Sequence, residues 1–98
     1  MLGHHTDAIK IFSKAIEKEP KNTKGYYSKA LSLIQLNKNE EAIKELNQAV
    51  AIFPRDMSSQ MKRYELYRKM GKLKEAESCY NEMIKLDPKL KEKLSPPS

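Results

Sequence analysis

The sequence contains no tryptophan, one cysteine and three glycines in 98 residues. A single Cys79 forms no internal disulfide and builds no Cys-rich zinc site. Gly3, Gly25 and Gly71 lie too far apart for a phosphate-cradling loop. So few residues suited to φ > 0 also argue against an all-β fold, whose tight hairpins need them. No apolar run approaches the ~18 residues that cross a bilayer, and the N-terminus lacks the charged-then-apolar pattern of a secretory signal. The expected compartment is therefore reduced and intracellular, taken as cytoplasmic. What is abundant is Lys, Glu, Leu, Ala and Met, all good helix formers. The expected class is all-α. Nineteen basic against 13 acidic residues give a formal charge of +6, which favours acidic partners without naming one.

Self-similarity organises the chain. Pro20, Pro54 and Pro88 are spaced by 34 residues, and so are Ala8, Ala42 and Ala76. Phe12, Leu46 and Tyr80 keep the interval, as do Ile16, Val50 and Ile84, and Gly3, Asn37 and Gly71. Proline cannot continue a helix, and Gly or Asn tolerates the left-handed residue that ends one. Each period thus carries two stops and two helices. Helices are expected over about 6–18, 23–36, 39–52, 57–70 and 73–86, with Thr6–Asp7, Asn22–Thr23, Asn39 and Asp56 at their starts. Ala42, Ile43, Leu46, Ala49 and Val50 fall on one face at helical period, with Lys44, Glu45, Asn47 and Gln48 opposite. Helices of this length are marginal alone in water, so stacking must hold them.

These residues resemble the tetratricopeptide repeat (TPR) family. Its second-helix signature, Ala-x3-Phe-x2-Ala-x4-Pro, is matched by Ala8-Phe12-Ala15-Pro20, by Ala42-Leu46-Ala49-Pro54 and by Ala76-Tyr80-Met83-Pro88. The first-helix signature is degenerate: Tyr26-Lys29-Ala30-Leu33, then Gln60-Arg63-Tyr64-Tyr67. The resemblance covers residues 3–90 and implies an α-solenoid of antiparallel helix pairs. The expected organisation is a half repeat over 1–22, full repeats over 23–56 and 57–90, and a short cap and tail over 91–98. Two departures carry structural expectations. Tyr64 stands where Ala30 lets helices approach, so it should push its partner helix away or turn outward. Met83 replaces the second Ala of the last repeat. Leu90 and Leu94 are expected to form a capping turn before Ser95-Pro96-Pro97-Ser98.

Residues 1–22 supply only a second helix. Ala8, Phe12 and Ala15 would then lack a usual neighbour, and Ile11 adds an apolar residue where the other repeats have Glu45 and Cys79. Three explanations stand open: a section of a longer array, self-association through Ala8, Ile11, Phe12 and Ala15, or local repacking.

Few groups suit catalysis. His4 and His5 are adjacent, so they point apart and make a poor metal pair; an unstructured lead is the expectation for them. Cys79 has no histidine beside it in sequence and reads as a partly buried small residue. Asp7, Asp56 and Asp87 are accounted for by capping. No enzyme, metal site or cofactor is expected. The resemblance implies instead a concave groove lined by first helices, here Lys24, Tyr27, Ser28, Leu31, Ile34 and Gln35, then Ser58, Met61, Lys62, Glu65, Arg68 and Lys69. Such a stripe suits an acidic or C-terminal peptide with a hydrophobic anchor. The two-carboxylate clamp by which related repeats hold chaperone tails is absent: Ser28 replaces its Asn, Ser58 its Lys, and only Lys62 keeps a base. The leading expectation is a protein-binding scaffold, one segment of a larger assembly protein. The alternatives are a self-association element forming homodimers or stacks, and nucleic-acid binding through the basic surface. The 34-residue period and interspersed Glu residues count against the last.

Overall fold

The computed structural model describes the backbone of residues 2–93 and the side chains of residues 6–93. Six helices follow in order: α1 (Leu2–Lys18), α2 (Thr23–Gln35), α3 (Asn39–Ile52), α4 (Met57–Lys69), α5 (Leu73–Leu86) and α6 (Leu90–Lys93). There is no strand among the described residues. Each helix packs against the next, α2 on α3 and α4 on α5 as pairs, with α1 against α2 and α3 against α4 joining them. This is the all-α solenoid expected from the repeat.

Two kinds of stop alternate. After α2 and α4 the chain turns through a left-handed residue, Asn37 at φ 62° and Gly71 at φ 76°. The Lys38 N–H then donates to the Leu33 carbonyl at 2.8 Å, and the Lys72 N–H to the Tyr67 carbonyl at 2.9 Å. Each closure satisfies carbonyls that a helix end leaves orphaned. The second kind of stop uses proline. α3 ends at Phe53 with φ −138°, ψ 89°, and α5 at Asp87 with φ −146°, ψ 92°. Both precede proline, whose ring disfavours helical geometry in the residue before it.

Two expectations about helix starts are corrected. Gly3 does not stop a helix; it lies inside α1, which begins at Leu2. Thr6 and Asp7 consequently sit within α1 rather than at its cap, and His4 and His5 belong to helical backbone instead of an unstructured lead. Asn39 is the first residue of α3, not its cap. The cap position falls to Lys38, with no side-chain bond, and Lys72 repeats this at α5. The physical reason is the tight closure before it. With its N–H committed to Leu33, Lys38 is the last residue outside the helix. The other two caps are as expected: Asn22 Oδ1 accepts from the Lys24 N–H at 3.0 Å, and Asp56 Oδ1 from the Ser59 N–H at 3.3 Å.

The interior divides into two clusters. Ala30, Leu33, Ala42, Ile43, Leu46 and Leu66 form one, with Ile9 of α1 packed against it. Tyr64, Ala76, Cys79, Tyr80 and Met83 form the other, with Leu90 of α6 against it. The capping role expected of Leu90 is therefore met; Leu94 lies outside the described residues. Tyr64 neither turns outward nor stays at the surface. It is 2% exposed and its ring centroid lies 6.1 Å from that of Tyr80. The small thiol of Cys79 stands in the same cluster where the preceding repeat carries the longer Glu45, which leaves room for the larger ring.

Candidate functional site

α2 and α4 are the first helices of the two pairs, and between them lie two open recesses. The first, about 330 Å³, is lined by Thr23, Lys24, Tyr27 and Ser28 from the start of α2, by Phe53, and by Asp56 and Ser58 at the start of α4. The second, about 220 Å³, is lined by Leu31, Ile34 and Gln35 from the end of α2 and by Lys62, Glu65, Leu66 and Lys69 of α4. Ten of the twelve residues assigned to a groove line one recess or the other.

The remaining two have other work. Met61 is half-buried and packs against the second core cluster. The Arg68 guanidinium lies 5.5 Å from the Tyr64 ring centroid, and its Nη1 donates to the Tyr64 hydroxyl at 3.4 Å. That cation–π geometry ties Arg68 to its own helix.

The two recesses differ in character. The first has aromatic walls, Tyr27 and Phe53, with hydroxyls from Thr23, Ser28 and Ser58 and the exposed base of Lys24. The Asp56 carboxylate in it is already engaged, since Ser59 Oγ donates to Oδ2 at 2.8 Å and the Ser59 N–H to Oδ1. The second recess is aliphatic on the α2 side and charged on the α4 side. Lys62 pairs with Glu65 at 3.3 Å, which leaves Lys69 as its unbalanced base.

Phe53 and Asp56 were not among the expected groove residues. Phe53 falls between the periodic helices, at a position where the other repeats have Glu19 and Asp87, so the repeat pattern is silent about it. The one signal available is a large aromatic in a connection. It is 52% exposed, and Leu31 in the second recess is 36% exposed. Each recess therefore presents one large apolar side chain to solvent.

The strip expected on α1 is open in part. Ile11 is 64% exposed, Ala15 is exposed, and Ala8 and Phe12 are half-buried. Among the described residues no group of three or more His, Cys, Asp or Glu side chains is placed to hold a metal, and no helix is long and apolar enough to cross a membrane. Cys79 is fully buried, and burial pushes its thiol pKa up, with Arg63 nearby partly opposing this.

The family model described as "Psidin, N-terminal TPR repeats region" matches residues 2–96. Among curated proteins, the Protein STIP1 homolog of Dictyostelium discoideum is 31% identical over 84 residues, which is 86% of this chain and 15% of that protein. DnaJ homolog subfamily C member 3 of Gallus gallus is 33% identical over 86 residues, covering 88% of this chain and 17% of that one. The chain thus spans less than a fifth of these relatives' length. Of solved structures, the first TPR of Spaghetti (RPAP3), bound to the HSP90 peptide SRMEEVD, has a TM-score of 0.78 at 26% identity, covering 88% of this chain and 68% of that one. The TPR domain of P58(IPK) has a TM-score of 0.76 at 28% identity, covering 87% and 24%.

Proposed function

We propose, on the premise that this chain belongs to the tetratricopeptide-repeat family of the Psidin N-terminal region, that the face between α2 and α4 binds a peptide or helix of a partner protein. The chain acts as a non-enzymatic interaction module, one segment of a larger assembly protein. The observation that carries the reading is the pair of recesses, each with an exposed apolar side chain, Phe53 or Leu31, beside an exposed base, Lys24 or Lys69. An apolar anchor inserted beside Phe53 and Tyr27, with acidic residues along Lys62 and Lys69, satisfies both. Hydrophobic contact supplies affinity, and charge supplies orientation and encounter rate. A groove this short corresponds to micromolar binding, roughly −8 kcal/mol.

The HSP90 peptide carried by the solved Spaghetti (RPAP3) repeat marks a boundary for this proposal. With Ser28 and Ser58 at two clamp positions and Lys62 paired to Glu65, this chain is not built to hold two carboxylates. Its ligand is an acidic segment with a hydrophobic anchor, not a chaperone tail held by a clamp. The reduced intracellular setting belongs to the same proposal and rests on the lone, buried Cys79.

Fluorescence anisotropy tests this with two labelled peptides, SRMEEVD and an acidic peptide carrying one central aromatic residue. The aromatic acidic peptide should bind more tightly. Phe53→Ala, and separately Lys62→Glu with Lys69→Glu, should each weaken it roughly tenfold, a change of about 1.4 kcal/mol. Equal binding by the wild type and both variants contradicts the groove assignment.

A further inference from the structure

The two recesses carry unequal charge. In the first, one base, Lys24, and one acid, Asp56, balance, so the recess suits an uncharged aromatic anchor. In the second, every charge comes from α4, and the α2 side contributes only Leu31, Ile34 and Gln35. Repeat register sets this asymmetry. Ser28, Leu31 and Gln35 stand one repeat before Lys62, Glu65 and Lys69. α2 thus presents neutral side chains where α4 presents a base, an acid and a base.

Lys62, Glu65 and Lys69 form one column on α4, since residues three and four apart share a helix face. Glu65 is the middle member, and its carboxylate lies 3.3 Å from Lys62 Nζ. The Glu65 side chain is 56% exposed and that of Lys62 31%, so an approaching ligand meets the acid more than the base. Two bases against one acid leave a single unbalanced positive charge, on Lys69. One ligand carboxylate on Lys69 neutralises the recess. A second carboxylate beside the first comes against Glu65, and such a repulsive element discriminates between ligands.

We infer, on the reading that this face binds a peptide, that Glu65 is a specificity-determining residue: it restricts the second recess to one ligand carboxylate and disfavours ligands with paired acids. Spacing sets where that carboxylate stands in the ligand. Tyr27 of the first recess and Ile34 of the second are seven residues apart on α2, about 10 Å along the helix. An extended ligand spans this in about three residues. The preferred ligand carries an aromatic residue and a single acid at that separation.

Fluorescence anisotropy with two labelled peptides tests this. One carries a single Glu three residues after a central aromatic residue, and the other carries Glu-Glu at that place. Both are also made with the acid before the aromatic residue, so that either chain direction is sampled. The wild type should bind the single-Glu peptide at least as tightly as the paired one. Glu65→Gln should shift the preference toward Glu-Glu by roughly threefold. Adding Lys62→Gln to Glu65→Gln again leaves one positive charge, and should return the preference to that of the wild type. A wild type that prefers Glu-Glu overturns the inference. So does a preference unchanged by Glu65→Gln, or one that stays shifted in the double variant. Phe53→Ala separates the two claims. If it weakens both peptides while Glu65→Gln leaves their ratio alone, the role of Glu65 falls and the groove stands. If neither peptide binds, or Phe53→Ala changes nothing, both fall.

Discussion

Lys29 Nζ and Glu45 Oε1 lie 3.1 Å apart between α2 and α3, and one repeat later the same two positions hold Arg63 and Cys79. The ion pair of one repeat becomes a guanidinium beside a buried thiol in the next. Arg63 turns part of its charge to Glu82, whose carboxylate is 4.0 Å away, and its Nε is left buried without a partner. The exchange makes room for Tyr64 against Tyr80, so the second helix pair has a larger aromatic interior and a less well satisfied polar edge.

Cys79 should behave as an interior thiol. Its pKa is raised by burial, so the unfolded chain releases the proton first as pH climbs past the ordinary thiol range. Below that range both states are protonated and the thiol adds no pH dependence. Above it the wild type should lose stability relative to Cys79→Ala. Urea melts of both proteins across alkaline pH measure the difference; parallel pH dependences contradict it. A thiol reagent should likewise modify Cys79 at a rate that tracks unfolding.

Gly71→Ala should destabilise the fold by about 1 kcal/mol although no atom lies within 4 Å of the added Cβ. The cost is conformational, because Gly71 sits at φ 76°. Asn37→Gly tests the same argument in the opposite sense, since Asn37 at φ 62° carries that strain already and should gain a few tenths of a kcal/mol. Denaturant melts resolve both signs.

Those two residues also show what the sequence makes legible. Asn37 and Gly71 share an interval and a conformation, because each turns the chain so that the N–H of the next residue, Lys38 or Lys72, closes the helix onto a carbonyl five residues before it. Gly3 shares only the interval, and its backbone is helical; glycine permits a stop without requiring one. The helices and the side chains facing the groove follow from a 34-residue period combined with a 3.6-residue one. Phe53 does not, because its place beside α2 depends on the path of the α3–α4 connection. The direction of Tyr64 was equally illegible, since it depends on the volume that Cys79 and Tyr80 leave between two helices. Arg68 reads as a groove base by spacing alone, yet the nearby Tyr64 ring holds it.

Gly25→Leu should separate α1 from α2. The first added atom already meets Ile16 Cγ1 at 3.0 Å, so a full side chain overpacks the contact by ~1–3 kcal/mol. Adding Ile16→Ala should recover part of that loss. Recovery in the double variant, measured as a double-mutant cycle, shows that the two residues meet; strictly additive losses contradict the placement of α1.

A peptide bound between α2 and α4 touches residues of both helices and leaves the outer face of α3 in solvent. Titration of isotope-labelled chain with the aromatic acidic peptide, followed by NMR, tests it most directly. The backbone amides of Lys24, Tyr27, Leu31, Phe53 and Lys69 should shift together and saturate with one affinity, while those of Lys44, Asn47 and Gln48 on the outer face of α3 stay in place. Shifts confined to α1 or to the outer face of α3, or no shifts at saturating peptide, contradict the account.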